Sequence, residues 1–159
     1  MDQQQLFVKM ALTTWDLYLK RADKLFSSLT DQQLLKEIAP GRNRGFYLLG
    51  HLTAVHDNMF PLFGLGQRLY PQLDQTFLNS PDKVATDIHS VGELREHWAK
   101  VNAELEKGFA GMSAADWFAK HASVSEEDFA KEPHRNKLSV LLNRTNHLAY
   151  HFGQVALTK

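Results

Sequence analysis

Between residues 3 and 29 the apolar side chains recur every three or four positions. Phe7, Met10, Ala11, Thr14, Tyr18, Ala22, Leu25 and Leu29 share one face at about 100° per residue. Leu12, Trp15, Leu19 and Phe26 form a second apolar line beside the first. A helix this long, apolar over so wide an arc, must be covered on more than one side. β-branched residues are sparse and never alternate over a useful length, so a sheet is not available as that cover. Other helices must supply it.

The rest of the chain provides them. Thr30-Asp31-Gln32-Gln33 is a capping-box pattern for a short helical turn, broken at Pro40-Gly41. Asn43 is suited to cap a second helix that reaches about Met59 and stops before Pro61, with Leu48, Leu52, Val55 and Met59 inward. Gly50 sits inside it, where glycine costs roughly 1 kcal/mol against alanine, and close approach of a neighbour is one reason to accept that. Residues 60–89 are irregular but carry Phe63, Leu65, Leu69, Tyr70, Leu73 and Phe77, which predicts a connection packed against the bundle. Ser90 with Glu93 opens a third long helix to about Phe109, ended by Gly108 and Gly111. Short helices are expected over 113–120 and 125–131, and Asn136 caps a last helix running from Lys137 to about Leu157. Its stripe is Leu138, Leu141, Leu142, Thr145, Leu148, Ala149, Phe152 and Ala156. The reading is all-α: one domain over residues 1–159, a four-helix bundle with a long crossover between its second and third helices.

Charge excludes some functions. Eighteen acidic and eighteen basic residues cancel, so no whole-chain field draws the protein to nucleic acid or an anionic membrane. No cysteine is present, which removes disulfides, thiolate ligands and a cysteine nucleophile together. The first residues lack the order of a signal peptide, and no apolar run approaches the roughly 20 residues that span a bilayer. A cytoplasmic location is expected. The second apolar line on the first helix remains after the core face is used, and it predicts a homodimer.

The chemistry concentrates near the end of the chain. His147 and His151 are four residues apart, one turn on one helical face, and two imidazoles so placed can bind one metal ion. The same spacing also fits solvent-facing histidines at the edge of a helix. His51 lies on the apolar face of the second helix, and a buried imidazole needs partners for both nitrogens. A metal shared with His147 and His151 is one such partner. Asn143, Tyr150 and Gln154 are candidate acceptors for free ring nitrogens, Asn58 for the cleft, and Arg144 for a substrate carboxylate. His56, His89, His97, His121 and His134 receive no role.

Two stretches carry a family resemblance: Gly50-His51-Leu52 after Tyr47-Leu48-Leu49, and Asn146-His147-Leu148-Ala149-Tyr150-His151-Phe152-Gly153-Gln154. Together they resemble the DinB/YfiT-like superfamily of four-helix bundles, over essentially the whole chain. The resemblance implies a metal-binding histidine triad, with His51 from the second helix and His147 and His151 from the last. It implies a divalent ion, with zinc and nickel both suited to imidazole ligands. It also implies thiol-S-transferase or hydrolase chemistry, in which a water or low-molecular-weight thiol is activated on a small-molecule substrate. A non-catalytic, stress-related metal-binding bundle stays open as the alternative, and nothing in the residues suggests DNA contact. Among the three ligands, loss of His51 is expected to weaken binding most, since it is the only one from its helix.

Overall fold

The computed structural model describes residues 2–84 and 89–159, so 85–88 of the expected crossover lie outside the described residues. The helices are α1 (Gln3–Ser28), α2 (Asp31–Leu34), α3 (Gly45–Asp57), α4 (Met59–Phe63), α5 (Leu73–Phe77), α6 (Val91–Ala110), α7 (Ala114–Phe118), α8 (Glu126–Lys131) and α9 (Lys137–Val155), with a 3₁₀ turn at Ala156–Thr158. Helix accounts for 69% of the described residues. Among the described residues there is no strand, as the missing alternation predicts. Four helices form the bundle: α1 packs on α9 and α6, and α3 packs on α6 and α9.

Side-chain bonds fix the directions. Arg95, at the start of α6, donates to the carbonyls of Phe26 (3.1 Å) and Leu29 (2.6 Å) at the end of α1. Phe109, near the end of α6, meets Trp15 in the middle of α1 at 6.3 Å between rings. α6 therefore runs opposite to α1. So does α3, which follows α1 through the short α2 and brings His56 back to Trp15, 4.8 Å between rings. α3 and α6 run the same way, and parallel neighbours cannot be joined by a tight turn. That is why the chain needs the long passage between them.

The passage is packed, as its apolar content predicts: Phe60, Phe63, Leu73 and Phe77 are all buried. It hangs on Asp57, the last residue of α3. This fully buried carboxylate accepts from Leu69 N (2.7 Å), Tyr70 N (3.0 Å) and Arg68 Nε (3.0 Å). Arg68 continues to Asp74 through two bonds of 2.5 Å. Tyr47 of α3 donates its hydroxyl to the Ser80 carbonyl at 2.7 Å. These contacts hold α5 against α3.

Capping reads as expected at Thr30, Ser90 and Asn136, each accepting from the backbone three residues on. Other expectations change. The cap of α3 is Arg44 rather than Asn43, because the Asp82 carboxylate, at 2.7 Å, takes up the Arg44 N–H. Pro61 does not stop the chain from coiling; it sits in the first turn of α4, where its missing N–H is not needed. Gly108 lies within α6, where a Cβ would come 2.7 Å from Leu65.

On α1 the inward line is shifted. Val8, Ala11, Trp15, Ala22, Leu25 and Phe26 are buried, while Phe7 and Met10 are 61% and 58% exposed. Trp15 and Phe26 are therefore core residues, and Leu12 and Leu19 pack against that core. Leu12 and Leu19, the rest of the line that predicts a homodimer, stay half-buried and border a cavity beside Trp15 and Phe109. On α9, Leu142 is exposed, and Val155, outside the expected stripe, is buried.

Candidate metal centre

α3 and α9 lie side by side, and their shared edge carries the three histidines. His147 Nε2 is 3.1 Å from His51 Nε2 and 3.0 Å from His151 Nε2. The ligand atoms of all three lie within 4.8 Å of one another, so the cluster could hold a metal ion. For comparison, ligand bonds of about 2.0–2.1 Å at angles of about 90–110° put neighbouring nitrogens about 2.8–3.4 Å apart. The side chains are half-buried at the rim of the core. His147 and His151 lie beside the buried stripe of α9, which lets them face His51 of α3 without entering the packed interior.

The outer ring nitrogens decide the tautomers. His51 Nδ1 is 2.9 Å from the Phe77 carbonyl oxygen, which can only accept. Nδ1 therefore carries the proton and Nε2 presents a lone pair. His151 Nδ1 donates to Gln154 Oε1 at 2.6 Å, which again leaves Nε2 bare. Two lone pairs thus face His147 Nε2, which has at most one hydrogen to give. His147 Nδ1 is buried without a partner. As it stands, the cluster has more acceptors than protons.

Additional protons are held off. Burial, then the neighbouring His151, His51 and Arg144, lowers His147 to about 4. Burial lowers His51 and His151 as well, opposed at His51 by the Phe77 carbonyl and at His151 by Gln154. The imidazoles are neutral near pH 7, the state in which they ligate. The donor set fits a divalent cation: three neutral nitrogens, two of them oriented through their second nitrogens.

Of the expected supporting residues, Gln154 is in place. Asn143 instead accepts from Arg144 Nη1 at 3.2 Å, and Tyr150 is exposed with its ring 5.0 Å from that of His151. Asn58 and Arg144 line one cavity of about 390 Å³, and none of the three histidines lines it. The Phe77 carbonyl is the partner that the sequence does not announce. It arrives from α5, 26 positions from His51, and any residue type could have supplied it.

Gly50 explains how Phe77 reaches that point. A Cβ on Gly50 would lie 2.4 Å from the Phe77 ring. That ring is buried and wedged against Phe46 and Tyr47, each 5.8 Å away between centroids, so it cannot swing aside. Gly50→Ala is expected to destabilise the fold by about 1 kcal/mol net. Overpacking costs about 1–3 kcal/mol and outweighs the roughly 1 kcal/mol that alanine gains in a helix. Gly108→Ala meets Leu65, which is only partly buried and borders open space, and should cost less. Urea midpoints of the two variants compare them directly; equal midpoints would show that Phe77 yields as easily as Leu65.

His56 is a core residue, not a bystander. It is fully buried between Trp15 and Trp98, at 4.8 and 4.9 Å between rings, with Nδ1 2.7 Å from Asn102 Oδ1. Burial lowers it to about 3. In the unfolded chain these four histidines titrate near about 6.5. Above that pH neither state is protonated and they contribute no pH dependence. Below it the unfolded chain takes up protons that the folded chain refuses, so stability falls toward the folded values. The metal-free protein is expected to lose denaturant resistance steadily from about pH 6.5 to 5, before most carboxylates titrate. A midpoint constant over that interval would contradict the buried, neutral state of these rings.

Comparison with other proteins agrees with this architecture. A crystal structure of a conserved protein from Enterococcus faecalis superposes with a TM-score of 0.62 at 17% identity, covering 99% of this chain and 95% of the other. That likeness is one of fold. Comparison with curated proteins finds no match. The family model of the DinB superfamily matches residues 14–155, a span that runs from α1 to the end of α9 and takes in His51, His147 and His151. With the bundle, the crossover and the histidine cluster all inside that span, the chain belongs to the DinB superfamily.

Proposed function

We propose that His51, His147 and His151 bind a divalent metal ion through their Nε2 atoms, and that this centre serves a small-molecule enzyme of thiol-S-transferase or hydrolase type in the cytoplasm. The observation that carries the reading is the pair of bare Nε2 atoms aimed at His147 Nε2, in a cluster that burial keeps unprotonated. Zinc and nickel both suit three imidazoles. Bound there, the ion supplies Lewis acidity that brings the pKa of a coordinated water or thiol toward neutrality. The chain's own residues hold and orient. The Phe77 carbonyl fixes the His51 ring, Gln154 fixes that of His151, and Tyr47 stacks along His51 at 12° between planes. With no cysteine in the sequence, a thiol nucleophile must come from a co-substrate.

Calorimetric titration of metal-free protein with zinc and with nickel tests the binding. One ion per chain with micromolar or tighter affinity is expected. Turnover of zinc-loaded protein is then measured with a small thiol plus an electrophile, and separately with activated esters. Failure to bind either ion removes the reading. Tight binding without turnover leaves a metal-binding bundle.

A further inference from the structure

Arg144 stands one turn before His147 on α9, where that helix faces α4 and the loop around Ser123. Loop and α4 form one wall, since Ala122 N–H donates to the Leu62 carbonyl at 3.1 Å. Arg144 lines two cavities there, of about 380 and 390 Å³, which also share Leu62 and Ser123. Neither has an aspartate or glutamate in its wall. Arg144 Nε is buried without a partner, and so is His121 Nδ1 in the same lining. The other arginine present, Arg135, is paired with Glu132 at 3.2 Å. Among the described residues no carboxylate forms an ion pair with Arg144; its one side-chain bond goes to the neutral Asn143. Burial alone moves its pKa, downward, where an acidic neighbour would raise it. A half-buried guanidinium without a counter-charge is unfavourable unless a ligand completes it.

We propose that Arg144 binds the carboxylate of a small organic acid, in the space it shares with Asn58, Ser123 and Asn143. One uncompensated guanidinium calls for one negative charge. Its planar fork matches a carboxylate with two parallel bonds. A phosphate dianion would keep an unbalanced charge in a partly buried site. Leu62 and Val140 offer apolar wall to the acid's carbon skeleton. Arg144 is close enough for its charge to act on both His51 and His147. Resting on the metal reading, the consequence is that substrates of the centre carry a carboxylate. The binding itself does not depend on that reading.

The test is titration of the metal-free full chain with sodium butyrate, with butyramide as neutral isostere, and with inorganic phosphate, followed by ¹H–¹⁵N spectra. Without metal, coordination cannot produce the signal. Butyrate is expected to shift the amides of Asn58, Leu62, Ser123 and Asn143 saturably, and butyramide to bind at least tenfold more weakly. Arg144→Gln should lose at least tenfold in butyrate affinity, while Arg144→Lys retains part of it. Zinc affinity of Arg144→Gln should equal or exceed that of the wild type, because a positive charge that acts on His51 and His147 is removed. Equal responses to butyrate and butyramide, or undiminished binding by Arg144→Gln, would overturn the proposal. Tighter binding of phosphate than of butyrate would overturn the carboxylate assignment. A wild type that binds butyrate through Arg144 but not zinc would sustain this inference and defeat the metal reading alone.

Discussion

His147→Ala is expected to weaken zinc binding by at least about 100-fold, with His51→Ala and His151→Ala also losing tight binding. Outer partners of metal ligands alone are worth about 10–100-fold, so loss of a ligand itself should cost at least the upper end. The order follows from geometry. His147 Nε2 is the atom that both other histidines face, at 3.1 and 3.0 Å. Its removal leaves one ligand on each of two helices. Removal of His51 leaves the one-turn pair on α9, which can still chelate. The sequence favours His51 as the largest loss, as the sole candidate ligand from its helix; the convergence on His147 favours the other order. His134→Ala, at an exposed position, serves as the control and should bind as the wild type does. His56→Ala is not a clean control, since it would leave a cavity between Trp15 and Trp98. Calorimetric titration of the five proteins decides the matter, and equal zinc affinity in all of them would sink the triad.

The second large effect is expected at Asp57. Asp57→Ala should destabilise the fold by about 3–4 kcal/mol, in the range measured when one partner of a buried ion pair is removed. Two backbone N–H groups, of Leu69 and Tyr70, and Arg68 Nε would lose their acceptor inside the protein. Asp74 still holds the other end of the Arg68 guanidinium, which keeps the loss from being larger. Because the 68–70 turn leads into α5, loosening it also frees the Phe77 carbonyl from His51. Zinc affinity should therefore drop about tenfold, as for loss of an outer partner. Urea unfolding with and without zinc measures both. A stability change below about 1 kcal/mol would show that the passage is held by its apolar residues alone, and that Asp57 is incidental.

The long helices, the caps at Thr30, Ser90 and Asn136 and the residues of the cluster were legible in the sequence because each depends on local spacing. Thr30, Ser90 and Asn136 cap through bonds three residues away, and His147 and His151 share a face by the pitch of the helix. His51 stood out as a polar residue on an apolar face, and the resemblance joined it to the other two. Tertiary packing decided the rest. Whether Trp15 and Phe26 lie outside or inside depends on which side α6 packs, and a wheel with two apolar lines cannot choose between them. His56 looked unremarkable in sequence because its tryptophan neighbours come from α1 and α6. The Phe77 carbonyl has no sequence signature, since every residue carries one. Its place was fixed by the parallel course of α3 and α6, which forces a crossover, and by the hydrogen at Gly50 that lets the Phe77 ring come close. Spacing along one helix determines which histidines can share an ion. Only the crossing of α3 with α9 and the docking of α5 determine that their nitrogens converge with the lone pairs inward.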